Sequence, residues 1–136
     1  MAKVQVLAVL SLDGCLSEKT GDACWALRPE SYGIDKLFDA ADYELTSFYP
    51  TSRLAEDNSN SLFLIEATQD TATYINGLLR LQLVDKIIIY TVPFIAGTGQ
   101  YLFKANLPTS HWQLADKKEY NGGILCTTYR KKHIQE

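Results

Sequence analysis

Hydrophobic positions fall into short blocks along this chain, and each block has its own period. Val4 to Leu10 is a nearly continuous apolar run that ends in Ser11-Leu12-Asp13-Gly14. A run this short, rich in valine and leucine and closed by turn residues, is a buried strand opening into a loop. Pro29-Glu30-Ser31 opens a helix, since proline suits a first helical turn, and Tyr32, Leu37, Phe38 and Ala41 give it an apolar face. Tyr43 to Tyr49 reads as a second strand, stopped by Pro50, and Thr51 to Asn60 reads as a polar loop. Ser61 to Ile65 is a third strand. Thr68 to Leu83 has helical spacing at Ala72, Ile75, Leu79 and Leu83, with Asp70 or Thr71 as its cap.

Val84 to Val92 carries Ile87-Ile88-Ile89, a β-branched run typical of a central strand, and Pro93 ends it. His111 to Tyr120 and Ile124 to Lys131 flank Asn121-Gly122-Gly123. Asn-Gly between two strand-like runs is a hairpin signal. Strands that alternate with helices and then close in a hairpin predict an α/β fold. Its sheet is mixed, mostly parallel with an antiparallel C-terminal hairpin, and flanked by helices. Residues 1–136 form a single domain, with no internal repeat and no low-complexity linker.

Composition narrows the partners. The 136 residues carry 13 Lys+Arg against 16 Asp+Glu, a formal net charge of −3. That balance argues against general nucleic-acid or membrane-surface binding, which calls for a basic face. The dense basic run Arg130-Lys131-Lys132-His133 reads as solvated tail charge. Val4 to Leu10 is too short to span a bilayer. Cys15, Cys24 and Cys126 are odd in number and lack CxxC spacing. With no signal-peptide pattern, they read as reduced thiols of a cytoplasmic protein. His111 and His133 lie far apart without ligand companions, so no metal site is expected.

In an α/β sheet, ligands gather beyond the carboxyl ends of the strands. Ser11 to Gly14, Pro50 to Asn58, Glu66 to Asp70 and Pro93 to Gly99 fall at such ends. Taken singly, each reads as a turn or an exposed carboxylate. Ser11 with Asp13 has no histidine base, and neither has Cys24 beside Trp25, so neither arrangement supports a nucleophilic triad.

Taken in order, the same places form a pattern. Ser11-Leu12-Asp13-Gly14, Thr20-Gly21-Asp22, Trp25, Pro29-Glu30, Ala41-Asp42, Thr51 and Asp57-Asn58 follow one another along the first half. Leu64-Ile65-Glu66, then Leu83-Val84-Asp85-Lys86 before a strand, then Pro93, Gly97, Gly99, Leu102 and Phe103, then Asn121-Gly122, complete the series. The series resembles the reductase domain of the bifunctional deaminase-reductase of riboflavin biosynthesis, within the dihydrofolate-reductase-like superfamily. Each piece is short, the Leu83-to-Phe103 block is the strongest, and together they cover nearly the whole chain.

The resemblance implies a dihydrofolate-reductase-like fold, NADPH as hydride donor and a homodimer. The family reaction reduces a phosphoribosylaminouracil to its ribityl form. By position, Trp25 and Glu66 would touch the substrate, and Thr51 and Asp57 would lie near the nicotinamide and ribose. Asp13 and Gly14 would belong to the loop over the cofactor. The dimer expectation also draws on the apolar Ile87–Tyr90 region and on an edge hairpin that needs covering.

Three departures stand beside the likeness. Ala67-Thr68 replaces the family's Gly-Gly at the cofactor pyrophosphate, and a Cβ there obstructs close backbone approach. Phe38 stands where the family has an arginine for the substrate phosphate. Only Ser59 and Asn60 separate Asn58 from Ser61, where the family has a sizeable segment that builds much of the adenosine half of the cofactor site. No basic residue lies between Arg53 and Arg80 to replace it. Two functions therefore stand at this point: an NADPH-dependent reductase related to 5-amino-6-(5-phosphoribosylamino)uracil reductase, or a family member without catalysis that acts as a dimeric ligand-binding or interaction module.

Overall fold

The computed structural model describes residues 2–17, 27, 29–97, 99–104 and 107–132. In chain order the elements are β1 (Lys3–Leu10), α1 (Pro29–Tyr32), α2 (Ile34–Ala40), β2 (Tyr43–Glu44), α3 (Thr51–Glu56), β3 (Leu62–Glu66), α4 (Ala72–Arg80), β4 (Lys86–Thr91), β5 (Trp112–Tyr120) and β6 (Ile124–Lys131). The strands form one sheet in the order β2-β3-β1-β4-β6-β5. β2 with β3, β3 with β1 and β1 with β4 pair in parallel, while β4 with β6 and β6 with β5 pair antiparallel. The mixed sheet read from the sequence is therefore present, with its hairpin turning at Asn121-Gly122-Gly123.

β1 is central, and its alternation divides the core in two. Val4, Val6, Ala8 and Leu10 face one side with Phe63, Ile65 and Ile87, where α3 contributes Leu54 and α4 contributes Ala72, Ile75 and Leu78. Leu7 faces the other side with Leu64, Ile88 and Tyr90, where Ile34 is buried and Leu37 and Phe38 pack against them. Each buried Val, Leu or Ile contributes roughly 1.5–3 kcal/mol through removal from water. A one-residue slip of β1 would exchange the two faces.

Several elements depart from the sequence pattern. The expected helix from Pro29 is broken into α1 and α2 by Gly33, whose φ of 75° is a left-handed conformation that favours glycine. The break frees the Tyr32 carbonyl, which accepts the hydroxyls of Tyr90 at 2.6 Å and Tyr120 at 2.9 Å. The strand expected over Tyr43 to Tyr49 ends after Glu44, since Tyr49 N–H bonds the Thr46 carbonyl at 3.1 Å in a turn. The polar loop expected over Thr51 to Asn60 contains α3 instead, a short helix that buries only Leu54 and so shows no apolar period. Ile87, Ile88 and Tyr90, counted above toward a subunit face, are buried inside the sheet between β1 and β6. The outer strand β5 is exposed along Gln113 to Glu119, and it carries Asp116, Lys117, Lys118 and Glu119 plus an irregularity between Leu114 and Asp116. Charge and a bulge on an outer strand disfavour pairing with another chain.

α4 is held to the chain beyond β4 by a buried polar side chain. Asn76 Nδ2 donates to the carbonyls of Ala72 at 2.7 Å and Leu102 at 2.6 Å, and Asn76 Oδ1 accepts the Lys104 N–H at 3.0 Å. Asn76 is 1% exposed, and these bonds engage both ends of its amide.

Candidate ligand cleft

The parallel strands β1, β3 and β4 direct their carboxyl ends to the same edge of the sheet, and three loops meet there. The loop after β1 is tied to the loop after β4 through Asp13. Asp13 Oδ1 accepts the Ser11 hydroxyl at 2.5 Å and the Ala96 N–H at 3.1 Å, and Oδ2 accepts the Gly97 N–H at 3.0 Å. Leu12 N–H donates to the Phe94 carbonyl at 2.8 Å. Ser11 is itself buried, and its hydroxyl accepts the Cys15 N–H at 3.0 Å. The Ser11 hydroxyl, and then the two backbone donors, lower the Asp13 pKa to about 2. Asp13 is a latch between loops, and Gly14 beside it has a φ of 84°.

At the end of β3 the backbone closes on itself. Ala67 N–H extends the ladder to the Leu7 carbonyl at 2.7 Å. Thr68 N–H donates to Thr71 Oγ1 at 2.8 Å, while Thr68 Oγ1 accepts the N–H groups of Asp70 and Thr71, both at 3.2 Å. Thr71 Oγ1 donates to the Glu66 carbonyl at 2.7 Å. Thr71 occupies the N-cap position of α4 expected from the sequence, yet its hydroxyl turns back to the preceding loop rather than to the helix. The Glu66 side chain stays exposed at the mouth. Desolvation, and then the nearby Glu44 carboxylate, raise its pKa above the ordinary value.

The remaining sequence-derived candidates divide. Thr51 is the first residue of α3. Asp57 lies at the other end of α3, where its carbonyl accepts the Ala2 N–H at 3.2 Å beside the start of β1. β1 is roughly 26 Å long, so the structure does not bring Asp57 together with Asp13 and Glu66. Its carboxylate is engaged by Ser59, through N–H at 2.8 Å and Oγ at 2.5 Å, which lowers its pKa. Trp25 lies outside the described residues. Phe38 packs against the Leu7–Leu64–Ile88 core, so that position is apolar and inward.

Sequence reasoning missed Thr71 as a loop-closing group, and it missed the pairing of Glu44 with Glu66. A Thr-x-x-Thr spacing before a helix was the available signal for the first. Leu12, Phe94, Ile95, Tyr101 and Phe103 were also missed as exposed apolar side chains of the loops around the Asp13 latch. Among the described residues, no three His, Cys, Asp or Glu side chains gather as metal ligands. No helix among them is long and apolar enough to cross a membrane.

The donor set bears on a dinucleotide. A cofactor pyrophosphate is held by unengaged N–H groups at a helix start or glycine loop. Here the N–H groups of Ala67, Thr68, Asp70 and Thr71 are occupied by chain partners, and Asp13 occupies those of Ala96 and Gly97. These six engaged N–H groups do not serve a pyrophosphate in that manner.

No protein-family model matches the sequence, and no curated protein matches it. Solved structures do match. RibD from Acinetobacter baumannii superposes with a TM-score of 0.72 at 13% identity, covering 98% of this chain and 59% of that one. Dihydrofolate reductase from Enterococcus faecalis, complexed with NADP(H) and RAB-propyl, superposes with a TM-score of 0.64 at 13% identity, covering 96% and 97%. The fold is dihydrofolate-reductase-like. A third structure with this dihydrofolate-reductase-like fold, the diaminohydroxyphosphoribosylaminopyrimidine deaminase/5-amino-6-(5-phosphoribosylamino)uracil reductase of Thermotoga maritima, gives a TM-score of 0.63 at 11% identity, covering 96% of this chain and 56% of that one. The chain thus spans under two thirds of the length of the Acinetobacter and Thermotoga proteins. At such identities the likeness is one of fold.

Proposed function

We propose that this chain is a reductase-related protein that binds a small heterocycle in the cleft at the carboxyl ends of β1, β3 and β4, without gripping NADPH by its pyrophosphate. The observation that carries this reading is the reciprocal closure of Thr68 and Thr71, which takes up N–H groups of Thr68, Asp70 and Thr71 that could otherwise serve a pyrophosphate. Glu66, at the mouth with a raised pKa, is the recognition residue. A carboxyl group there accepts hydrogen bonds from an N–H edge when ionised and donates one when protonated. The exposed apolar loop side chains, Leu12 and Ile95 foremost, supply a surface for a planar ring.

The test is calorimetric titration of the protein with NADPH and, separately, with aminouracil compounds. Binding of an aminouracil that weakens at least tenfold in Glu66→Gln, with no heat from millimolar NADPH, supports the reading. Micromolar NADPH binding overturns it.

A second reading, an NADPH-dependent reductase of an aminopyrimidine, is favoured by the likeness over nearly the whole chain to a reductase complexed with NADP(H). Consumption of NADPH, followed at its absorbance band with an aminouracil ribotide present, decides for it. Under either reading the partner is a small molecule. A homodimer belongs to both proposals, and light scattering tests it.

A further inference from the structure

The end of the sheet opposite the Asp13 latch holds a concave surface. α1 and α2 pack over Leu7, Leu64, Ile88 and Tyr90, which leaves the amino ends of β1 and β4 and the carboxyl end of β6 on that face uncovered by them. A groove of about 400 Å³ lies there, lined by Lys3, Gln5, Lys86, Arg130 and Lys131, with Leu62 and Asp85 at its walls. Its volume is that of a small-molecule site.

The register concentrates charge in it. Gln5 is the ladder partner of Lys86, and Lys86 is directly opposite Arg130 on the antiparallel strand. By strand alternation Lys3, Gln5, Lys86 and Arg130 share one face. Like charges directly opposite one another on neighbouring strands destabilise a sheet. Lys3, Lys86 and Arg130 have no ion-pair partner among the described residues. The groove's one carboxylate, Asp85, is held at its wall, where Oδ2 accepts the Val4 N–H at 2.8 Å, and it leaves the three cations in excess. Lys131 is held at the border, its Nζ 3.4 Å from the Gln82 carbonyl. Three cations on one face beside a single carboxylate, in a chain of net charge −3, form a local site rather than a general basic surface.

We propose that this groove binds a compact soluble polyanion, a molecule bearing two or more phosphate groups. Arg130 offers the planar fork that grips a phosphate bidentately, Lys86 and Lys3 supply point charges, and Gln5 supplies an amide donor. The ligand would relieve the Lys86–Arg130 repulsion, so binding and sheet stability are coupled. This site is separate from the cleft, and it stands whichever reading of the cleft holds.

The test uses the full chain and inorganic pyrophosphate as probe, followed by calorimetry and by backbone amide shifts. Saturable binding is expected, weakening as salt is raised, with shifts at Gln5, Lys86 and Arg130. Lys86→Glu places opposite charges across the ladder. It should keep or raise the melting temperature while reducing pyrophosphate affinity at least tenfold, and Arg130→Gln should reduce it similarly. Absence of saturable binding at millimolar pyrophosphate, unchanged affinity in Lys86→Glu, or shifts confined to Thr68–Thr71 would each overturn the assignment.

Discussion

Asp13 accepts the N–H of Gly97 at 3.0 Å, joining positions 84 apart in sequence across the mouth of the cleft. With Ala96 on the other carboxylate oxygen, this contact fixes the loop after β1 against the loop after β4. The latch depends on ionised Asp13. Its pKa is lowered from 3.8 to about 2, so its contribution is fully present above the unfolded value and is lost as pH falls through about 2. The Ala96 and Gly97 amide resonances should therefore titrate near pH 2 rather than near 4. Asp13→Ala should speed amide exchange at both and leave the β1 ladder protected. A midpoint near 4 would show that the latch does not form.

Glu66 and Glu44 make the opposite electrostatic case. Partial desolvation first, and then Glu44, raise the Glu66 pKa from 4.5. The sign reverses: the contribution of Glu66 to stability is present below its unfolded pKa and is lost as pH rises through the folded one. Glu44→Gln removes the repulsive part, so the Glu66 carboxyl pKa, read by carbon-detected magnetic resonance, should fall toward the ordinary value. No change on that substitution would remove Glu44 from the cleft's electrostatics.

Much of this arrangement is legible in the chain. Val4–Leu10 and Ile87–Ile89 announce strands buried on both faces, and Asn121-Gly122 announces the hairpin. Placing Asp13 and Glu66 at strand ends needs only those strands. What stays hidden is which groups are already engaged. Asp13 bonds donors more than 80 positions away, and no local period signals that. Asp57 reads as a cleft residue as long as 51–60 is taken for a loop. Once that stretch contains α3, whose single buried residue is Leu54, Asp57 is carried to the far end of the sheet. Gly33 divides the expected helix through a positive φ, and the pattern of Tyr32, Leu37 and Phe38 around it gives no sign of the break.

Asn76 offers a stability test away from the cleft. Replacing it with Leu keeps the forked shape and removes two donated bonds and one accepted bond at a site 1% exposed. The Leu102 carbonyl and the Lys104 N–H lose their partner. Unpartnered buried groups cost about 1–3 kcal/mol each, so a loss of about 3 kcal/mol is expected. In a domain of this size that lowers the melting temperature by about 10 °C. Exchange protection should drop first around Leu102 to Lys104, and a melting temperature within 2 °C of the parent, roughly half a kcal/mol, would contradict the assignment.

The Thr68–Thr71 closure gives the sharpest test of the cleft. Replacing Ala67-Thr68 with Gly-Gly removes the hydroxyl that occupies the Asp70 and Thr71 N–H groups, and it strips both Cβ atoms from the approach. Loss of that capping hydroxyl should cost about 1 kcal/mol of stability, and the two glycines add backbone entropy of roughly 0.5–1 kcal/mol each. In return the Thr68 hydroxyl no longer competes with an anion for the Asp70 and Thr71 N–H groups at the start of α4, where the helix dipole also favours negative charge. The double variant should bind NADPH at least tenfold more tightly than the parent, with shifts at Asp70 and Thr71. If the closure is what excludes the dinucleotide, Thr71→Val should not reproduce this gain, because Thr68 Oγ1 still holds both N–H groups. Equal NADPH affinity in the parent and the Gly-Gly variant would mean that the closure is not what separates this cleft from a nucleotide site.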